Sequence, residues 1–311
     1  MRDRHGAARG VAAGPGRLPP ANLTAPRAWR FGLDARTLGP GAGPASTMTS
    51  FLFTTLPSND LGLLTRSLPV ASALARRGHR ITYSSPARAP SRLIGEAGFE
   101  NRPPKHPLFH FVSGRPSLGR LRRIVGAPDF ERDYGSVPRF VVELIKAIPL
   151  RFAPMTAEVW DGNHAAAMVG MMNANFVRAT LGAMIRLIRD VDPDVVVDFW
   201  NPLAGAAARV LHKPLVAVMQ ADQHPANPGF IWWKEPPPDR PTAVPAVNTV
   251  LREHGLPPVD RIEELSVGDL TLMLGMPETD PVPAAASVTH VGAILWQSPD
   301  ASLPDWAEQL D

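Results

Sequence analysis

The 311-residue chain contains no cysteine. That excludes disulfides, thiolate zinc sites, iron–sulfur clusters and a cysteine nucleophile. It fits a reducing compartment, and a cytoplasmic location is the expectation. No apolar run reaches 18 residues, so no membrane-spanning helix is expected. Lysine is scarce, with 4 against 28 arginines. Several chemical signatures are also missing. No GxGxxG follows the first apolar run, which argues against a dinucleotide site, and no GxxxxGK[ST] phosphate loop occurs. No GxSxG elbow and no HExxH pair occur either, and the nine histidines are scattered. No metal or bound cofactor is therefore expected.

Proline is abundant, at 35 residues, which breaks the chain into short elements. The net charge of +3 suggests a nucleic-acid partner only until it is mapped. Residues 1–47 hold seven arginines and two acids, so the rest of the chain carries a net −2. The basic character belongs to a leader rich in Ala, Gly, Pro and Arg, without apolar period. It is read as a disordered leader, with Met48 as the expected true start. No nucleic-acid partner is expected.

From residue 48 the patterns alternate. Residues 51–56 (FLFTTL) form a short apolar, β-prone run; 61–76 place Leu61, Leu64, Leu68, Ala71 and Leu74 at helical spacing; 80–84 (RITYS) form a second strand. Ser58, Asn59 and Asp60 are the capping candidates for the first helix, and Gly78 its stop. A short helix at 89–97 and a strand at 99–102 follow. Residues 103–135 have no clear period. Helical pattern returns over 137–189, interrupted at Pro149, Pro154 and Gly162. Strand 194–199 (DVVVDF), helix 202–211 and strand 215–219 make another unit. A helix at 242–254 and strands at 269–274 and 287–291 complete the series. This order predicts an α/β fold, a Rossmann-like doubly wound parallel sheet, over 48–296. Residues 297–311 read as the start of a linker.

In an open parallel sheet, ligands bind beyond the carboxyl ends of the strands, near the switch in strand order. Those ends supply Asn59 and Asp60, then Asp198, Trp200 and Asn201, then Gln220, Asp222 and His224. Asp60 serves either as a helix cap or, in a cleft that raises its pKa, as a base for a hydroxyl proton. Asp198 either caps its strand end or orients a neighbouring base. Asp222 and His224 carry ordinary loop polarity or line the site. Met171, with its neighbouring methionines, packs a core or lines an apolar pocket; Phe109, Phe111 and Trp232 are candidates for the same pocket. Arg115, Arg120, Arg122 and Arg123 read first as a solvated loop and second as a contact for phosphate or membrane headgroups.

Residues 51–99, with LPVASALARRGHRITYSS and AGFE, resemble the amino-terminal half of the UDP-glycosyltransferase-like glycosyltransferases of GT-B fold. DPDVVVDFWNPLAGAAARVLHKPLVAV is similar to a later strand–helix–strand of that half. NTVLREHGLPPV, GDLTLMLGMPE and VTHVGAILW are similar to its end, and the likeness runs from about residue 50 to 300. The resemblance implies one half of a GT-B fold, binding an acceptor. It implies inverting transfer of a hexosyl group from a nucleotide-diphosphate sugar, typically a UDP-sugar, to a hydroxyl of a hydrophobic small molecule. No His lies in the loop after the first strand. Asn59–Asp60 resembles the family's Gly-Asp variant, so Asp60 is the implied base and Asp198 its partner. The nucleotide-sugar, a co-substrate, would bind a donor domain beyond residue 311 or on a separate chain. The competing expectation is a non-catalytic ligand-binding or partner protein on the same half-fold.

Overall fold

The computed structural model describes residues 48–58, 61–105, 136–147 and 158–296, with a few positions between 122 and 131. The leader, the linker, Asn59, Asp60, Phe109 and Phe111 lie outside the described residues.

Among the described residues, seven strands form one parallel sheet: β1 (Ser50–Thr55), β2 (Arg80–Ser84), β3 (Glu100–Asn101), β4 (Val195–Phe199), β5 (Leu215–Met219), β6 (Leu270–Leu274) and β7 (Thr289–Gly292). Their order is β3-β2-β1-β4-β5-β6-β7. The helices are α1 (Gly62–Arg76), α2 (Arg88–Glu96), α3 (Val137–Ala147), α4 (Gly162–Ala166), α5 (Ala174–Val191), α6 (Pro202–Val210) and α7 (Val244–Glu253). This is the doubly wound α/β arrangement, with the direction of winding reversing between β1 and β4.

The apolar runs become strands because both sheet faces are covered. In β1, Leu52 joins the cluster of Leu181, Met184, Ile188, Leu203 and Val250 from α5, α6 and α7. The next residue, Phe53, joins the opposite cluster, with Leu64 and Leu68 of α1 and Ile94 of α2. In β4, Val196 and Val197 divide the same way. Strand alternation thus feeds two cores from one continuous apolar sequence.

Most element ends fall within a residue or two of the sequence pattern. Gly78 takes φ 85° just after α1, a left-handed conformation that costs glycine little. Two expectations change. Gly162, read as a break, instead opens α4, because the Asp161 side chain accepts from the backbone N–H of His164 and caps the turn. The true interruption is at Gly170, φ 97°, within the wide turn Ala167–Met171 that separates α4 from α5. The first helix has Leu61 at its cap position, without a side-chain bond there.

One close approach fixes the α6 side of the sheet. The α-carbon of Gly205 on α6 packs against the carbonyl of Leu265, where an added Cβ would sit 2.0 Å from the oxygen. Gly205→Ala is expected to destabilise the fold by about 3 kcal/mol through this overlap, despite alanine's better helix propensity. A urea or thermal unfolding midpoint measures it; an unchanged or higher midpoint contradicts the packing.

Candidate functional site

The carboxyl end of the sheet gathers the loops after β1, β4 and β5. At its centre is Asp198, one residue from the end of β4 and paired in register with Thr54 of β1. This is the seam at which the strand order reverses. Asp198 is 1% exposed. Its Oδ1 accepts from the Thr54 hydroxyl at 2.6 Å. The backbone N–H of Asn201 donates to Oδ2 at 2.9 Å and to Oδ1 at 3.1 Å. Burial outweighs these bonds and pushes the carboxyl up to about 7.

The local chain path explains the Asn201 contact. Trp200 adopts φ 62°, a left-handed conformation uncommon for a large side chain. That reversal turns the chain from β4 into α6. Asn201 caps α6, its side chain accepting from the N–H of Ala204, and Pro202 occupies the first turn. The Asn201 amide also reaches the Thr55 carbonyl at 3.3 Å, binding the end of β1 to the start of α6. The Trp200 ring meets Phe230 edge-on, centroids 5.5 Å apart. Strain at Trp200 therefore coincides with the buried carboxyl and an aromatic pair, a combination found at functional turns.

The β5 end is a second polar group. Gln220 donates its N–H to the Gln223 side chain at 3.0 Å and accepts from Arg66 of α1 at 2.8 Å. Asp222 is raised, by burial first and then by the charge of Asp280, and its Oδ1 is buried without a hydrogen-bond partner. His224 is buried, and its Nδ1 accepts from the N–H of Ala226 at 3.1 Å, which leaves the ring proton on Nε2. Burial, then the Arg261 charge, lowers its pKa and keeps the ring neutral.

Beside it lies a cluster the sequence did not suggest. Arg261 donates to the carbonyls of Pro225 and Asn227 at 2.8 and 2.6 Å and to Glu263 at 3.1 Å. The buried Glu263 also accepts from the N–H of Gly162 at 2.8 Å. Asp161 pairs with Arg240 at 3.1 Å, next to the buried His164, whose pKa burial lowers. These ions hold the 160–164, 224–230 and 261–263 segments together. None of these side chains is among the candidates read from the sequence; the Asp161 cap is the local pattern that could have been found. Glu263 and Arg261 look like surface charges in sequence, because the backbone groups they bind, at Gly162, Pro225 and Asn227, are far along the chain.

Of the other candidates, Met171 is packed in the main core cluster. Trp232 is 70% exposed and stacks edge-on with Trp233, 5.8 Å between centroids. The structure brings Asp198, Trp200 and Asn201 together, and Asp222 with His224. No group of three or more His, Asp or Glu among the described residues is arranged to hold a metal ion. No described helix is long and apolar enough to cross a membrane.

No family model matches the chain, and no curated protein sequence does. Solved structures similar in chain path include the glycosyltransferase VinC, in complex with dTDP, at 16% identity and TM-score 0.44, covering 83% of this chain and 56% of VinC. SnogD from Streptomyces nogalater is 18% identical, TM-score 0.44, covering 84% and 54%. SsfS6 of Streptomyces sp. SF2575 is 13% identical, TM-score 0.46, covering 83% and 58%. The chain thus spans a little over half the length of each. The fold class stands on the strand order itself.

Asp198 gives a pH signature with a definite sign. Its folded pKa lies above the ordinary aspartate value of 3.8, so its favourable contribution is complete below pH 3.8 and is lost as pH rises through about 7. The difference corresponds to roughly 4 kcal/mol at neutral pH. Asp198→Asn, which cannot ionise, is expected to gain stability relative to wild type by a few kcal/mol between pH 4 and 7. Paired urea titrations across that range measure it, and parallel curves contradict it.

Proposed function

We propose that the chain is the acceptor-binding half of an inverting glycosyltransferase acting on a hydroxyl of a hydrophobic small molecule. The observation that carries this reading is Asp198: a carboxyl buried at the switch point, held by Thr54 and Asn201, with its pKa near neutrality. The sequence likeness of residues 50–300 supports the same reading.

In this mechanism Asp60, in the loop after β1, is the base. It takes the proton of the acceptor hydroxyl as the oxygen attacks the anomeric carbon of a nucleotide-diphosphate sugar, typically UDP-linked. The new C–O bond forms as the bond to the diphosphate breaks, and the nucleotide diphosphate leaves with the electron pair, inverting the anomeric centre. Asp198 is the second carboxyl of the pair. Burial favours its protonated form, which leaves the charge needed of a base to the other carboxyl of the pair. Trp200 and Phe230 offer an aromatic wall, and Asn59, Phe109, Phe111, Asp222 and His224 complete the acceptor side. The sugar donor belongs to a second domain or chain.

A second reading, a non-catalytic ligand-binding or partner protein, has one observation in its favour: the hydrogen bonds of Asp198 all go to the fold itself, at Thr54 and Asn201.

Calorimetry on the full chain tests the shared part. A hydroxylated polycyclic aromatic is expected to bind saturably, about tenfold more weakly after Trp200→Ala. A nucleotide-sugar is expected not to bind; tight binding of it by this chain contradicts both readings. With a donor half supplied, Asp60→Asn is expected to slow transfer by about a thousandfold. Full activity in that variant removes Asp60 from the mechanism, and no transfer by the wild-type assembly favours the second reading.

A further inference from the structure

The loop after β5 carries His224 at one end and Phe230 at the other, joined by Pro-Ala-Asn-Pro-Gly. Its two prolines have no N–H, so regular structure cannot satisfy the loop's carbonyls and a donor must come from elsewhere. Arg261, just before the short helical turn Ile262–Ser266, supplies it. One guanidinium nitrogen, Nη1, donates to the carbonyl of Pro225 at 2.8 Å and to that of Asn227 at 2.6 Å.

Glu263 braces this arrangement. Its side chain is fully buried, and its Oε1 accepts from Nη2 of Arg261 at 3.1 Å. The same oxygen accepts from the N–H of Gly162 at 2.8 Å. Two residues before Gly162, the Trp160 carbonyl accepts from the N–H of Phe230 at 2.8 Å. Gly229, at φ 118°, passes so close that an added Cβ would sit 2.5 Å from that carbonyl. One carboxylate oxygen therefore serves both supports of the loop. Arg261 holds residues 225–227, and the 160–162 segment holds residues 229–230. The outcome is the edge-on contact of Phe230 with Trp200, two residues after Asp198. Buried ion pairs often add no stability over apolar packing of the same volume, so stability alone does not call for one here.

We propose that Arg261, braced by Glu263, is a positioning residue for the acceptor. It sets the 224–230 loop, and so the place of the Phe230 ring against Trp200, where the hydrophobic acceptor packs. The role in binding rests on the acceptor reading of this site. A lysine would keep the charge beside Glu263, but it has no planar fork to hold two carbonyls and a carboxylate together.

Two measurements on the full chain test it: amide hydrogen exchange of residues 224–230 without ligand, and calorimetric titration with 2-naphthol as the probe. Arg261→Lys is expected to speed exchange of 224–230 at least about tenfold, with 195–199 unchanged. It is expected to weaken 2-naphthol binding about tenfold. In a Phe230→Ala background the same substitution is expected to cost less than about twofold more, because its effect travels through that ring. Unchanged exchange overturns the proposal, as does an additive loss of affinity in the double variant. A lower thermal midpoint with unchanged affinity also overturns it, since that is support of the fold alone. If Arg261→Lys misfolds, Arg261→Met combined with Glu263→Gln leaves no ion buried alone, and the same expectations apply. Failure of the wild type to bind 2-naphthol counts against the acceptor reading; faster exchange in the variant then still supports the clamp on the loop, and unchanged exchange overturns it.

Discussion

The hydrogen bonds around Asp198 tie together three pieces at one point: β1 through Thr54, β4 through Asp198 itself, and the start of α6 through Asn201. They lie at the seam where the sheet reverses its winding. Moving a carboxyl from water into this position is costly, and the two donors recover only part of that cost. Raising the pKa is the physical response, and it places the group where small changes in its surroundings alter its proton occupancy. The left-handed Trp200 and the aromatic contact to Phe230 follow from the same turn. A site built around this carboxyl is therefore rigid, and its position is set by the sheet.

The fold around it was legible wherever pattern and covering agree. FLFTTL and DVVVDF read as buried strands because both faces of a parallel sheet accept apolar residues, and the structure places strands there. Gly78 marked the end of α1 because that position needs a positive φ. Gly162 misled because a glycine reads as a breaker only when nothing caps it, and Asp161 does. The turn at Gly170 left no trace in a helical run, since hydrophobic spacing continues through it.

The site was legible in part. Asp198, Asp222 and His224 were visible as polar residues after predicted strands, which is a topological inference from sequence order. What each group does chemically depends on long-range contacts. The shift of Asp198 comes from burial, and the neutrality of His224 from burial and from Arg261, 37 positions along the chain. Glu263 and Arg261 were passed over for the same reason, since a charged pair in a short turn has no local signature of being buried. Asp60 stands apart: its assignment as base rests on likeness of sequence, and it lies outside the described residues.

The central claim is that the carboxyl at the β1–β4 seam holds its proton near neutral pH. A carbon-13 NMR titration of the Asp198 carboxyl, assigned by comparison with Asp198→Asn, tests it directly. A midpoint near 7 agrees with the account. A midpoint at or below the ordinary aspartate value of about 4 contradicts it, because the carboxyl would then be an ionised strand-end residue exposed to water.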